Sequence, residues 1–248
     1  MNKEWIITNI DKLNSMTKYP SILVYHKRGE KGRLLEEVQV DFDGTAIITE
    51  KIDGTNSRII LFPDGFYLIG SREELLYAKG DLIGDRQLGI VAELKPVAEK
   101  LSLPDILTVY YFEVYGEGIG KNGVQYTGHK NIGHLLFDIA KIPCDKLSKL
   151  TVEEIASWRD NGGQQFLSEH QLQNCGQPLT PRITIDKLPR SISETHSWLH
   201  SILTVTTATL DDGGFGRPEG IVARSSDRTR ITKIKFKDYD KIVRGRER

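Results

Sequence analysis

Thr49-Glu50-Lys51-Ile52-Asp53-Gly54-Thr55-Asn56 is the stretch whose reading decides the fold. Side chains two apart on a strand share a face, so a strand over residues 46–53 puts Lys51 and Asp53 on one side. Gly54 then lets the backbone turn sharply. Alone, Lys-x-Asp-Gly also describes a surface ion pair at a strand end, so its meaning depends on what accompanies it.

Working outward, residues 57–62 and 66–71 are apolar, partly β-branched runs joined by the turn Pro63-Asp64-Gly65. They read as a β-hairpin whose second strand brings Ser71-Arg72 back to the level of Gly54. Apolar residues at Ile90, Val91, Leu94, Val97 and Leu101 have helical spacing, with Pro96 inside the run. Residues 108–115 form the densest aromatic and β-branched stretch, with Tyr111, Glu113 and Tyr115 on one face. A carboxylate among aromatics is costly to bury without a partner, which makes Glu113 a candidate functional group. The glycine run Gly116-Glu117-Gly118-Ile119-Gly120 is no phosphate-cradling P-loop, because no Gly-Lys-Ser/Thr follows it. Residues 135–139 predict another strand holding Phe137-Asp138.

Further on, Thr151-Val152-Glu153-Glu154 fits a capping box opening a helix that Gly162-Gly163 stops. His196 and His200 stand at i and i+4 on an expected helix. That spacing can bind a metal, but the sequence offers no third ligand, so an ordinary helix face is the favoured reading. Pro218-Glu219-Gly220-Ile221-Val222 is a strand opening with a carboxylate. Residues 232–238 predict the last strand, with Lys233, Lys235 and Lys237 on one face. That face is either a solvated edge or a cationic rail aimed at phosphate. A basic loop at 26–33 and a basic tail (Lys241, Arg244, Arg246, Arg248) are the other candidate anion contacts.

Composition narrows the class. Lys+Arg and Asp+Glu both number 34, so the chain does not coat nucleic acid by net charge, and any contact must come from a local patch. Hydrophobic residues at 38% of 248 suffice for a core. Cys144 and Cys175 form no close pair and no metal-ligand spacing, which predicts a reduced, cytoplasmic setting. No run is long and apolar enough to span a membrane, and the first residues lack a signal core.

Taken in order, Lys51-x-Asp53-Gly54-x-Asn56, Ser71-Arg72, Phe112-Glu113-Val114-Tyr115-Gly116, Phe137-Asp138, Glu219-Gly220-Ile221-Val222 and Lys235-x-Lys237 resemble the motifs of the covalent nucleotidyltransferases. That superfamily includes polynucleotide ligases and mRNA-capping guanylyltransferases. Asn56 and the Tyr-Gly-x-Gly-Ile run at 115–119 resemble the RNA ligase 2 branch in particular. The resemblance implies an α+β nucleotidyltransferase (ligase adenylation) domain, with mainly antiparallel sheets and flanking helices around a nucleotide pocket. One such domain is expected over residues 1–248, with 1–45 as an N-terminal lead-in and no OB or helical domain after the last lysine motif. Such a chain is either a compact stand-alone ligase or one half of a two-part machine completed by a partner protein.

The resemblance also assigns roles. Lys51 would form a lysyl-AMP bond, and Arg72 would contact sugar or phosphate. Glu113 would hydrogen-bond the ribose, while Phe137 and Val222 would sandwich the base. Glu50 would add adenine recognition near its backbone. Glu219 and Asp53 would place Mg²⁺ (or Mn²⁺), Lys235 and Lys237 would stabilise phosphate charge, and Asn56 would act in transfer and sealing. The implied activity is ATP-dependent joining of RNA ends, RNA/DNA hybrid nicks among them. The alternatives are a capping-type guanylyltransferase and a non-catalytic binder of nucleic-acid ends.

Overall fold

The computed structural model describes residues 3–82, 89–120 and 122–246; Arg248 of the basic tail lies outside them. Two short helices, α1 (Lys3–Thr8) and α2 (Ile10–Thr17), precede a small hairpin of β1 (His26–Arg28) and β2 (Leu34–Val38). The lysine strand is β3 (Ala46–Lys51). Next come β4 (Thr55–Leu61), β5 (Tyr67–Ser71), β6 (Leu75–Ala78), β7 (Asp81–Leu82), α3 (Ile90–Ala98), β8 (Thr108–Gly116) and β9 (Ile132–Lys141). The remainder comprises α4 (Cys144–Leu147), α5 (Val152–Asp160), β10 (Gln165–Phe166), α6 (Glu169–Gln173), β11 (Arg182–Ile185), α7 (Ile192–Ile202), β12 (Gly220–Arg224), β13 (Ile231–Lys235) and α8 (Phe236–Arg246).

Two antiparallel sheets organise these elements, in the orders β10-β9-β8-β4-β5-β6-β7 and β11-β3-β12-β13. The expected hairpin is β4–β5, closed around Pro63-Asp64-Gly65. Strand alternation sorts β8 between two cores: Val109 and Tyr111 pack with α1, α2 and α5, whereas Tyr110, Phe112 and Val114 pack with α3. The second sheet buries Ile48, Ile221, Ala223 and Ile234 against Leu199 of α7 and Phe236, Tyr239 and Ile242 of α8. Fully burying each of the isoleucine, leucine and phenylalanine side chains among them contributes about 1.5–3 kcal/mol. Helix starts follow their chemistry. Thr151, Ser168 and Ser191 each close a complete capping box on α5, α6 and α7. Ser191→Ala is expected to cost about 1 kcal/mol, read from a urea midpoint shift at unchanged slope.

Two expectations need correction. The lysine strand stops at Lys51, so Asp53 sits in the turn rather than on the strand. The turn is forced tight at Gly54, where an added Cβ would lie 2.4 Å from the Val114 carbonyl oxygen. The last strand stops at Lys235 and the chain enters α8 at Phe236. Phe236, Tyr239 and Ile242 recur at helical spacing and all face the core, so helical rotation carries Lys237 to the exposed side. Through Arg246 the basic tail continues α8. Among the described residues no helix is long and apolar enough to cross a membrane.

Candidate active site

Between the two sheets lies a cavity of about 330 Å³. Its walls include Glu50, Lys51, Asp53, Asn56, Arg72, Glu113, Phe137, Glu219 and Val222, brought together from both sheets; Thr49 and Val222, which pair across β3 and β12, are 173 positions apart in sequence. Lys235 joins them through Glu219. Lys237, on α8, is exposed and does not line the cavity; Lys233, on the same strand as Lys235, does.

Strand parity explains how β3 presents these groups. Ala46 and Ile48 point into the core behind the second sheet, so Thr49 and Lys51 point into the cavity. Glu50 has the parity of Ile48. Its buried carboxylate accepts hydrogen bonds from Thr206 Oγ1 (2.5 Å), the Thr207 N–H (2.7 Å) and Thr207 Oγ1 (2.7 Å). The Glu50 side chain is thereby committed to the loop before β12, and its N–H donates to the Pro181 carbonyl at 3.1 Å. Across the ladder, Lys51 pairs with Gly220. Gly220 has φ +153°, and a Cβ there would stand 2.1 Å from the Ile234 carbonyl oxygen, so only glycine lets β12 and β13 approach at this level.

Lys51 Nζ and Lys235 Nζ each donate to a different oxygen of Glu219. Burial opposes charge on Glu219, but Lys51 and Lys235 outweigh it and hold the carboxyl below its usual range. Lys233 is shifted down by burial and then by repulsion from Lys235, Lys51 and Arg72. Opposite, Glu113 is pushed up to about 7, first by burial, then by the charges of Glu219 and Asp53, against Lys51 and the Gly54 N–H. Asp53 accepts from Asn122 Nδ2, and its N–H donates to Tyr126 Oη at 2.7 Å. Asn56 Oδ1 is buried in the cavity wall with no hydrogen-bond partner among the described residues. Such orphaned oxygens are rare, and one facing a cavity is suited to a ligand or a cation.

A bulge shapes the apolar wall. Tyr111 pairs with Asp138 and Phe112 with Leu136, so Phe137 is the extra residue of β9. Phe137 and Asp138 consequently both lie on the cavity side, while Leu136 and Ile139 pack with α3. Phe137 meets the edge of Tyr19 at 5.0 Å. Asp138 is fully buried and accepts from Tyr19 Oη (2.8 Å) and Arg228 Nε (2.8 Å), with Arg224 at 3.6 Å. Arg224 also binds Glu169, which in turn binds Arg182 at 2.6 Å. Removing one member of such a network would leave a buried charge uncompensated. Arg58, fully buried behind Arg72, donates to the Arg72 carbonyl at 3.2 Å and to Asn14 Oδ1. Sequence reading missed Tyr19, Arg58 and Arg224; it set Lys233 on the cationic face but gave the phosphate role to Lys235 and Lys237.

The RNA ligase family model matches residues 44–238, which contain every wall residue named above except Tyr19. The chain belongs to the RNA ligase family. No curated protein sequence matches it significantly. Among solved structures, Naegleria gruberi RNA ligase with pyrophosphate superimposes with TM-score 0.55 at 14% identity, covering 83% of this chain and 52% of that one. A lysine-to-alanine variant of the Naegleria enzyme with ATP and manganese gives TM-score 0.56 at 11% identity, covering 92% and 62%. These likenesses establish that the family member described here has the RNA ligase fold, and it spans between half and two thirds of those chains.

Proposed function

We propose that the chain is an ATP-dependent RNA ligase joining a 3′-OH to a 5′-phosphate, with Lys51 as the nucleophile that carries AMP. The observation that most supports this is the Lys51–Glu219–Lys235 arrangement facing Glu113 and the unpaired Asn56 oxygen across one cavity. Residues 1–248 would act as one nucleotidyltransferase domain, with RNA ends as partner.

Lys51 Nζ attacks the α-phosphorus of ATP. A P–N bond forms as the bond to pyrophosphate breaks. A 5′-phosphate oxygen of RNA then takes the AMP and frees Lys51. Finally the 3′-OH attacks that 5′-phosphorus and AMP leaves. Attack needs an unprotonated amine, which for a free lysine at pH 7 costs about 4.6 kcal/mol. Lys51 must therefore give up both a proton and its ion pair with Glu219. The oxygen donors Glu219, Asp53 and Asn56 Oδ1 fit a hard divalent cation such as Mg²⁺ or Mn²⁺. Bound there, the ion supplies positive charge to the phosphates and to the departing pyrophosphate. The Naegleria structure with ATP and manganese supports the same pairing. Arg72, 62% exposed at the rim, reaches phosphate; Glu113 accepts from ribose hydroxyls; Phe137 and Val222 hold the base between them.

The test is a nicked duplex with RNA ends, given ATP and Mg²⁺. Sealed strand and a transient adenylated 5′-end are expected. Covalent labelling by GTP with transfer to a 5′-diphosphate end would overturn the reading in favour of capping. Within the same assay, Lys237→Ala is expected to stay within about twofold of wild type. Lys233→Ala is expected to lose about tenfold, as one charge-assisted contact is removed.

A further inference from the structure

Behind the second sheet, away from the oxygen-lined cavity, α7 and α8 bring together His196, His200 and Asp240. His196 and His200 are one helical turn apart, and both aim Nε2 at the same atom, Asp240 Oδ1, at 3.1 and 3.0 Å. Asp240 is 16% exposed and His200 40%, so the cluster is anchored on one side and open on the other. Arg217 holds the second carboxylate oxygen, Oδ2, at 3.3 Å, with its guanidinium 4.2 Å above the Phe236 ring.

Hydrogen bonding alone does not satisfy this cluster. Arg217 Nη2 also stands 3.1 Å from His200 Nε2. If His200 carries its proton on Nε2, it donates to Asp240 but meets Arg217 donor to donor. If Nε2 is bare, it accepts from Arg217 but turns a lone pair on the Asp240 oxygen at 3.0 Å. Either proton placement leaves one like-to-like contact. A cation that takes the lone pairs of both imidazoles and of Oδ1 removes the conflict. The geometry suits one. Metal bonds of about 2.0–2.1 Å set the edge of a coordination tetrahedron at about 3.3 Å, close to the two nitrogen–oxygen separations here.

We propose that His196, His200 and Asp240 form a transition-metal site, with Zn²⁺ the ion its chemistry selects. Two imidazoles and one carboxylate suit Zn²⁺ and disfavour Mg²⁺, which prefers oxygen alone. The ion binds His196 Nε2, His200 Nε2 and Asp240 Oδ1, and the fourth position faces solvent. Arg217 gives up its contact with His200 and keeps Oδ2, acting as the outer partner of the ligating carboxylate. The ion ties α7 to α8, and through Arg217 it reaches the segment entering Glu219, two residues on. This proposal does not depend on the ligase reading.

The test uses the full chain without an affinity tag, stripped by chelator and titrated with Co²⁺. One equivalent should give the visible d–d absorption of tetrahedral cobalt, displaced by one equivalent of Zn²⁺ but not by excess Mg²⁺. Zn²⁺ should also raise Tm. His196→Gln, His200→Gln and Asp240→Asn should each weaken Co²⁺ binding at least about tenfold. Asp212→Asn, at the exposed His129/Asp211/Asp212 cluster, should leave it unchanged. Zinc X-ray absorption on the wild type alone should report two imidazoles and a carboxylate, and it serves if a variant fails to fold. No stoichiometric binding, binding insensitive to both histidine variants, or binding lost in Asp212→Asn would overturn the proposal.

Discussion

Incubation with ATP and Mg²⁺ is expected to attach one AMP to the protein, on Lys51, and Lys51→Ala to reduce that labelling at least about a thousandfold. Lys235 shares Glu219 with Lys51, and Lys233 lines the same cavity, so mass alone would not identify the acceptor. Peptide mapping does. Lys51→Ala leaves Glu219 bonded to Lys235, and Lys51 itself is a quarter exposed, so the loss of stability should be about 1 kcal/mol or less. An unchanged melt with no adduct would isolate the chemistry from the fold. Retained labelling of Lys51→Ala would remove Lys51 from the proposed role.

Glu113→Gln is expected to stabilise the ligand-free protein at pH 8 and to weaken nucleotide binding. Burial, then the charges of Glu219 and Asp53, push the Glu113 carboxyl from 4.5 to about 7. A carboxyl raised on folding favours the native state only while protonated. Its ionisation therefore erodes stability as pH climbs from 4.5 through 7, and the full penalty stands above that. The shift sets its upper bound at about 3 kcal/mol. Glutamine carries no such penalty. In thermal melts without nucleotide or divalent ion, the variant should exceed wild type by up to about 5–10 °C at pH 8 and match it at pH 4. Nucleotide affinity at pH 8 should fall about tenfold, because a charged acceptor for the ribose is gone. Equal melts at both pH values would show that Glu113 is not held at a cost. The pairing of gained stability with lost binding is the usual mark of a group kept for its ligand.

Much of this could be read from local pattern. Alternation in β4, β5 and β8, the capping box at Thr151 and the turn at Pro63-Asp64-Gly65 are encoded by neighbours in sequence. So is the glycine that lets the chain turn after Lys51. What escaped needed partners from far along the chain. Tyr19 meets Asp138 across 119 residues, and Arg224 meets Glu169 across 55. Asp240 reaches His196 from 44 residues away, so the histidine pair looked incomplete. Lys237 failed for a different reason. Ile234 and Phe236 alternate like a strand, while Phe236, Tyr239 and Ile242 repeat like a helix. One residue, Phe236, serves both periods, and only packing decides where the switch falls.

The extra residue in β9 separates two duties that ordinary alternation would assign to opposite faces. Phe137 shapes the wall toward a planar guest, and Asp138 beside it anchors a charged keystone that joins Tyr19, Arg228 and Arg224. The two duties meet only at Tyr19, whose ring touches Phe137 and whose hydroxyl donates to Asp138. On the proposed reading, replacing Phe137 with rings of other size is a route to retuning which nucleobase is accepted, provided the new ring still meets the edge of Tyr19. Deleting either residue is not, because strict alternation between Leu136 and Ile139 leaves room for one cavity-side residue, so one of the two duties is lost.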